Sequence, residues 1–310
     1  MLSLSTEVGV PFQASEHARL DIAGAESNCA IALASLGKKV AWLSKVGDSP
    51  VGDRIVSAIR ARGVDVSGVV RAAGRSELMF VEAGRGANRT NVVYDRAGAP
   101  VESYHIEEVD LPKVQASTFF HVTGITPALS GDCRDTLTDA ISIARRAEVR
   151  VSFDVNYRSK LWAPARAREE ISRLIREIDT LFIGQRDLAC LWGRSGKAKE
   201  EVQRLQDEFS IANVILTRGE EGAAGLFGNR FLEHAAFTCE VVSPIGAGDA
   251  FAAGVLYSLL NGEVEEALQR GCAMAALARE SRSDYVLSGI EALEQRIAAE
   301  DGGGGKRLSR

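Results

Sequence analysis

Apolar and polar positions follow two alternating rhythms along this chain. From residue 119 onward, short apolar runs at 119–122, 149–155, 180–183 and 214–217 read as buried strands, each ending in a polar turn. Between and after them, longer stretches place apolar residues at helical spacing and predict helices over 131–146, 165–178, 250–260, 264–280 and 290–299. Upstream, a small apolar helix is predicted over 29–36 with a stop at Gly37, then a strand over 40–43, then a helix over 50–62 opened by Pro50 and closed by Gly63. Residues 64–104 have a different texture. Short β-rich pieces at 78–82 and 90–94 flank a glycine-rich link at 83–88, which predicts a hairpin or small sheet inserted between α/β units. Residues 1–22 alternate only weakly and predict no strong element, and the tail from 301 to 310, with four consecutive glycines, is expected to be disordered.

Strands that alternate with helices of ten or more residues imply a mostly parallel central sheet with helices on both faces, and the inserted small sheet would make a lid over a cleft or, equally, a structural flap. Residues 1–300 are expected to form one such α/β domain, with lid strands drawn from about 5–22 and 70–104. In sheets of this kind ligands bind beyond the carboxyl ends of the strands. The polar clusters fall there: Asp154, Asn156 and Arg158; Thr217, Arg218 and Gly219; and the stretch from Gly246 to Asp249. In the last of these, Gly246 and Gly248 stand just before Asp249 and an apolar helix. Glycines at a helix start let backbone N–H groups converge on an anion, which the helix dipole also favours. A carboxylate in the same place repels a phosphate, and it makes chemical sense as a base that takes a proton from a hydroxyl attacking a phosphoryl group. The bland alternative for Asp249 is a helix cap.

Composition narrows the partners. A net charge of −5 and a pI near 5.6 argue against a general nucleic-acid binder. No apolar run approaches membrane-spanning length, and the five scattered cysteines form no CxxC pair, so they read as reduced thiols of a cytoplasmic protein. The string Gly193-Arg194-Ser195-Gly196-Lys197-Ala198 has the wrong spacing for a Walker P-loop and reads as a loop. A dinucleotide fingerprint is also unsupported, because Phe251 occupies the third glycine position.

The stretch Ile245-Gly246-Ala247-Gly248-Asp249-Ala250-Phe251 resembles the C-terminal signature of the ribokinase-like (PfkB) carbohydrate kinases. Ala23-Gly24 with Asn28, Ala30, Leu33 and Leu36-Gly37 is similar to their N-terminal signature. Val46-Gly47-Asp48 with Gly52, and Thr217-Arg218-Gly219 with Gly222, follow in the family's order. Within the family, the residues from His121 to Ser130, Asp154-Val155-Asn156-Tyr157-Arg158 with Leu161-Trp162, and Ser243-Pro244 resemble the 2-keto-3-deoxygluconate kinases.

The resemblance implies a ribokinase-like fold and ATP-dependent phosphorylation of a sugar acid's terminal hydroxyl, with Mg²⁺ as cofactor. Asp249 would be the base, and the backbone from Ile245 through Gly246, Ala247 and Gly248 would form the anion hole. Gly24 and Asn28 would touch sugar hydroxyls, while Thr217, Gly219 and Gly222, with Gly246 and Gly248, would line the nucleotide site. The helix over 264–280, including Ala273 and Ala276, would border the adenine, although alanines there also suit helix packing. Tyr94 and Arg96, two apart on a lid strand, share a face, and Arg96 would meet a substrate carboxylate; a solvated edge-strand charge is the alternative. Arg158 has a similar assignment at a strand's carboxyl end.

Two departures stand out. Where the family often has Asn-x-x-Glu, this chain reads Gly184-Gln185-Arg186-Asp187, leaving Asp187 as the Mg²⁺ contact, through water. Family members also usually carry a core strand ahead of the segment matching Leu2–Ser5. A neutral-sugar kinase for fructose or ribose, a nucleoside kinase, and a non-catalytic sugar- or nucleotide-binding relative remain as alternatives. The family further implies a homodimer through the lid.

Overall fold

The structure, a computed structural model, describes residues 1–84 and 90–303. Most of the glycine-rich link expected at 83–88 lies outside those residues, as does the tail beyond Gly303. In chain order the first half contains β1 (Leu2–Ser5), β2 (Arg19–Ile22), α1 (Ala25–Ser35), β3 (Ser44–Gly47), α2 (Pro50–Arg60), β4 (Val69–Ala72), β5 (Leu78–Glu82), β6 (Asn91–Asp95), α3 (Leu111–Gln115), β7 (Phe119–Thr123), α4 (Thr126–Leu129) and α5 (Gly131–Arg146). The second half adds β8 (Arg150–Asp154), α6 (Pro164–Leu174), β9 (Thr180–Gly184), α7 (Gln185–Trp192), α8 (Ala198–Phe209), β10 (Asn213–Thr217), β11 (Ala223–Phe227), β12 (Arg230–His234), α9 (Ala247–Asn261), α10 (Ala267–Arg279) and α11 (Ile290–Gly303).

A six-stranded sheet runs in the order β12-β11-β10-β9-β8-β7. Strands β7 to β10 are mutually parallel, and β11 and β12 close one side as an antiparallel hairpin. The central strands β9 and β10 are buried on both faces, which explains their continuous apolar runs: Leu181, Ile183, Val214 and Leu216 face one core, Phe182 and Ile215 the other. Their register lines up the carboxyl ends: Thr123 opposite Asp154, and Thr217 opposite Gly184. Expected helix starts hold well. Ser49 accepts a bond from the Gly52 N–H at the start of α2, with Pro50 in the first turn, and Ser130 accepts one from Cys133 at the start of α5.

The lid is a four-stranded sheet, β2-β1-β5-β6. Its inner face packs Met79, Val81, Val92 and Tyr94 against Ala23, Met1 and Ile245, over the mouth of the cleft. Its register sets Leu4 beside Leu20 and Phe80, and Phe80 beside Val93, as one apolar row on the other face. The expectation of no strong element in residues 1–22 is therefore corrected. β1 owes its existence to pairing with β5, and β2 to pairing with β1, tertiary contacts that weak local alternation does not announce.

The strand expected at 40–43 sits four residues later, as β3, paired in parallel with β4. Residues 40–43 make a single bridge, from Ala41 to Asp65, while Trp42 packs into the core with Ile31, Ile55 and Val64. Among the described residues β3 pairs only with β4, and β7 only with β8. A cavity of about 980 Å³ lies between these two open edges and is continuous with the cleft at the strand ends.

Other boundaries moved for local reasons. The helix expected over 165–178 ends at Leu174 and tightens into a 3₁₀ turn at Ile175–Glu177, and residues 264–266 form a 3₁₀ turn ahead of α10. Gly193 caps α7 in the left-handed conformation, leaving 193–197 as the expected loop. α11 continues to Gly303, beyond the predicted end at 299. Among the described residues no helix is long and apolar enough to cross a membrane.

The element that carries Asp249, α9, is clamped by α10. A methyl group on Gly254 would lie 2.6 Å from the Arg270 carbonyl oxygen, and one on Gly271 would meet Phe251 and Val255 below 3.0 Å. The helices are this close because both contact points lack a side chain. Gly254→Ala must push them apart and is expected to destabilise by about 1–3 kcal/mol, the usual range for overpacking. A chemical-denaturation midpoint equal to wild type would contradict this packing.

Candidate active site

Asp249 lies in the first turn of α9, whose N-cap, Gly246, has φ +80. That glycine is required twice over: the left-handed backbone disfavours a side chain, and a Cβ would run into the carbonyl oxygen of Asp284. The loop after α10 is thereby held against the start of α9. Without such close contact the Gly246–Asp249 backbone would have no fixed N–H directions to offer an anion.

Both oxygens of the Asp249 carboxylate face side-chain amides. Asn28 Nδ2 donates to Oδ2 at 2.9 Å, and Asn156 Nδ2 approaches Oδ1 at 3.4 Å. Asn28 is placed by the first turn of α1, where Gly24 (φ +146) forms the N-cap and its carbonyl accepts the Asn28 N–H. Burial raises Asp249 to about 7, against the lowering effects of the Asn28 hydrogen bond and the Arg158 charge. Asp154, at the end of β8, is also raised to about 7, first by burial and then by the charges of Asp249 and Asp187. Asp187 is raised by burial as well, and it accepts the Tyr157 N–H at 3.2 Å. Three carboxyl groups thus converge beside the Arg158 guanidinium. Among the described residues no carboxylate lies within ion-pair distance of Arg158.

One cavity gathers most of the expected residues: Gly24, Asn28, Tyr94, Arg96, Arg158, Asp187, Thr217, Gly246, Gly248 and Asp249 all line it. Ala247, Gly219 and Gly222 do not. Gly219 and Gly222 build the β10–β11 turn: Gly219 has left-handed backbone (φ +62) with open space around it, and a Cβ on Gly222 would strike the His234 carbonyl. Ala273 and Ala276 are buried against Phe251, Val255 and Leu268, so packing explains them. Arg96 and Tyr94 share a face as expected, with the guanidinium 4.2 Å above the Tyr94 ring, but Arg96 also lies 3.7 Å from Glu77. Asn28 spends its amide N–H on Asp249, and its buried Oδ1 has no partner.

Sequence reasoning gave no role to Glu26, which accepts hydroxyl bonds from Thr123 at 2.7 Å and Thr126 at 2.9 Å and ties α1 to the β7–α4 turn. An acidic residue in a small, apolar helix start is the signal that marks it. Asp154 and Asn156 were visible as a strand-end cluster, but their contacts with each other and with Asp249 require the fold. Among the described residues no group of three or more His, Cys, Asp or Glu is arranged to hold a metal. The two raised carboxyls, Asp154 and Asp187, are hard oxygen donors in a site that favours added positive charge, which suits a magnesium ion retaining much of its water.

Residues 8–288 match the model of the pfkB family carbohydrate kinases, and the chain belongs to that family. It is a carbohydrate kinase, and ATP binding goes with the family. The chain is 36% identical over 304 residues to the 2-dehydro-3-deoxygalactonokinase of Haloferax volcanii, covering 98% of this chain and 96% of that protein. It is 33% identical over 268 residues to the 2-dehydro-3-deoxygluconokinase of Bacillus subtilis, covering 85% and 82% respectively. Its structure is similar to that of the 2-dehydro-3-deoxygluconokinase of Thermotoga maritima, with a TM-score of 0.90, 26% identity and coverage of 96% and 95%. These likenesses bear out the ribokinase-like fold with a mostly parallel sheet.

A buried carboxyl raised above its unfolded value favours folding fully below about pH 4 and loses that contribution as pH climbs through its folded value. For Asp249 the window runs from about 4 to about 7. Asp249→Asn removes the buried charge, so its thermal midpoint should exceed wild type at pH 8 and converge with it near pH 4. Equal midpoints at pH 8 would show that Asp249 is not a strained buried charge.

Proposed function

We propose that this carbohydrate kinase transfers the γ-phosphoryl group of ATP to the terminal hydroxyl of a sugar acid, 2-keto-3-deoxygluconate or its galacto epimer. The observation that carries the substrate class is Arg158, a cavity-lining guanidinium without a carboxylate partner among the described residues, near Asp249. A substrate carboxylate supplies that partner. The names of the relatives in Haloferax volcanii and Bacillus subtilis support the same class. Arg96, half committed to Glu77, is the second anion contact, with Tyr94 as its platform. Glycine 24 and Asn28 Oδ1 meet sugar hydroxyls.

In this reaction ionised Asp249 accepts the proton of the terminal hydroxyl as its oxygen bonds to the γ-phosphorus and the bond to the ADP oxygen breaks. Backbone N–H groups of Gly246, Ala247 and Gly248 stabilise the charge on the transferring group. Thr217, Gly246 and Gly248 border the nucleotide. Asp187 and Asp154 would hold Mg²⁺ through water, where the ion would neutralise phosphate charge. The lid's inner face excludes water from the attack site. The enzyme is cytoplasmic, in keeping with five free cysteines.

ADP release measured across a panel of sugar acids and neutral sugars tests this function. Sugar acids should be preferred, and Arg158→Met should raise their KM by on the order of 10- to 100-fold, the weight of a charge-assisted contact, while leaving neutral sugars nearly unchanged. Asp249→Asn should lose turnover. Near wild-type turnover in Asp249→Asn sinks the base, and a preference for fructose or ribose sinks the substrate class.

A homodimer through the lid is the accompanying assembly. The outer row of Leu20, Leu4, Phe80 and Val93 leaves Leu20 and Val93 about half exposed (45% and 51%), an apolar strip that a two-fold partner would cover. Sedimentation should give a dimer that Val93→Glu converts to monomer. A wild-type monomer at micromolar concentration would contradict it.

A further inference from the structure

Asn156 is one of three described non-glycine residues with positive φ, at +39, and it stands two residues beyond the end of β8 with 8% of its surface exposed. Such a conformation costs a non-glycine residue on the order of 1 kcal/mol or more and persists only where the surroundings enforce it. Here the strain turns the side chain back across the strand end. The Asn156 N–H donates to Asp154 Oδ1 at 3.2 Å. Its side-chain Nδ2 lies 3.3 Å from Asp154 Oδ2 and 3.4 Å from Asp249 Oδ1. The amide therefore stands between the two carboxyl groups, opposite Asn28, which grips the other oxygen of Asp249.

We propose that Asn156 is a positioning residue that aims Asp249 at the sugar hydroxyl: its side-chain amide, tied to the end of β8 through Asp154, donates to Asp249 Oδ1 and holds that oxygen in its proton-accepting form. This rests on Asp249 being the base. An amide NH₂ carries two donors and no acceptor, so a proton on Asp249 Oδ1 would break its contact with Asn156. Donors to an ionised carboxylate favour that form. The 3.3–3.4 Å separations are long for hydrogen bonds and have room to tighten when the lid closes over a substrate. Asp249 is faced by Asn28 and Glu26 from α1, by Asp154 and Arg158 from the end of β8, and by Asp284 from the loop after α10. Asp187, from α7, acts on Asp154. Among these only Asn156 touches both Asp154 and Asp249.

The simpler account is that asparagine is there because it tolerates left-handed backbone better than most residues. Asn156→Gly separates the two, since glycine adopts the same conformation freely and lacks the amide. The experiment measures kcat/KM for the sugar acid against pH, with the thermal midpoint as a check on folding. The expected result is an unchanged or higher midpoint, a low-pH limb displaced upward by about half a unit to one unit, and kcat reduced about tenfold, within the range a misdirected base gives. KM for ATP should stay near wild type. Asn156→Ser, too short to span both carboxyls, should move the limb the same way and stands in if the glycine variant does not fold. A limb within experimental error of wild type, with kcat within twofold, in whichever variant folds overturns the proposal. Asp249→Asn, run alongside, separates the failures: if it turns over, the base is wrong; if it is dead while the Asn156 limbs do not move, only the positioning role is wrong.

Discussion

The structure depends on holding a half-buried carboxylate at the start of a helix. Asp249 is half-buried in the first turn of α9, where its partial removal from water opposes its charge and the helix start favours it. Three parts of the chain converge on that conflict. α1 sends Asn28, the end of β8 sends Asn156 and Arg158, and the loop after α10 presses the Asp284 backbone against Gly246. The α9–α10 contact through Gly254 and Gly271 keeps the helix itself from shifting. A carboxyl poised near 7 suits the base proposed here, because about half of it is ionised at neutral pH while it keeps the basicity to take an alcohol's proton in the transition state.

The electrostatics reach beyond the base. Asp154, Asp187 and Asp249 form an acidic cluster that their own burial makes unfavourable. Arg158 relieves part of it without pairing closely to any one of them. This is the environment expected of a site that works only when loaded: a metal and a phosphate chain on one side, a substrate carboxylate on the other.

Much of this was legible in the sequence where the determinant is local. Gly246, Gly248 and Asp249 announce themselves because left-handed glycine followed by an acidic helix start is a short-range pattern. The parallel strands were legible because strands buried on both faces are continuously apolar. The misses share a cause in tertiary pairing. β1 exists because β5 lies beside it and β2 because β1 does, and the strand expected at 40–43 moved to Ser44–Gly47 because β4 aligns there. Gly222 was visible as a glycine with a task, but the task is clearance for His234 in a hairpin. Glu77 beside Arg96, the Glu26 bonds to Thr123 and Thr126, and the bridge from Asn156 to two carboxyls join residues separated by tens to about a hundred positions or across a turn, and no spacing rule connects them.

The central claim is that Asp249 meets the hydroxyl to be phosphorylated while Arg158 holds a substrate carboxylate. A crystal structure with the sugar acid and a non-hydrolysable ATP analogue tests it most directly. The account predicts the terminal hydroxyl within about 2.6–3.2 Å of an Asp249 oxygen and the sugar carboxylate on the Arg158 guanidinium. A sugar bound with its terminal hydroxyl turned away from Asp249, or with its carboxylate in solvent, would contradict it.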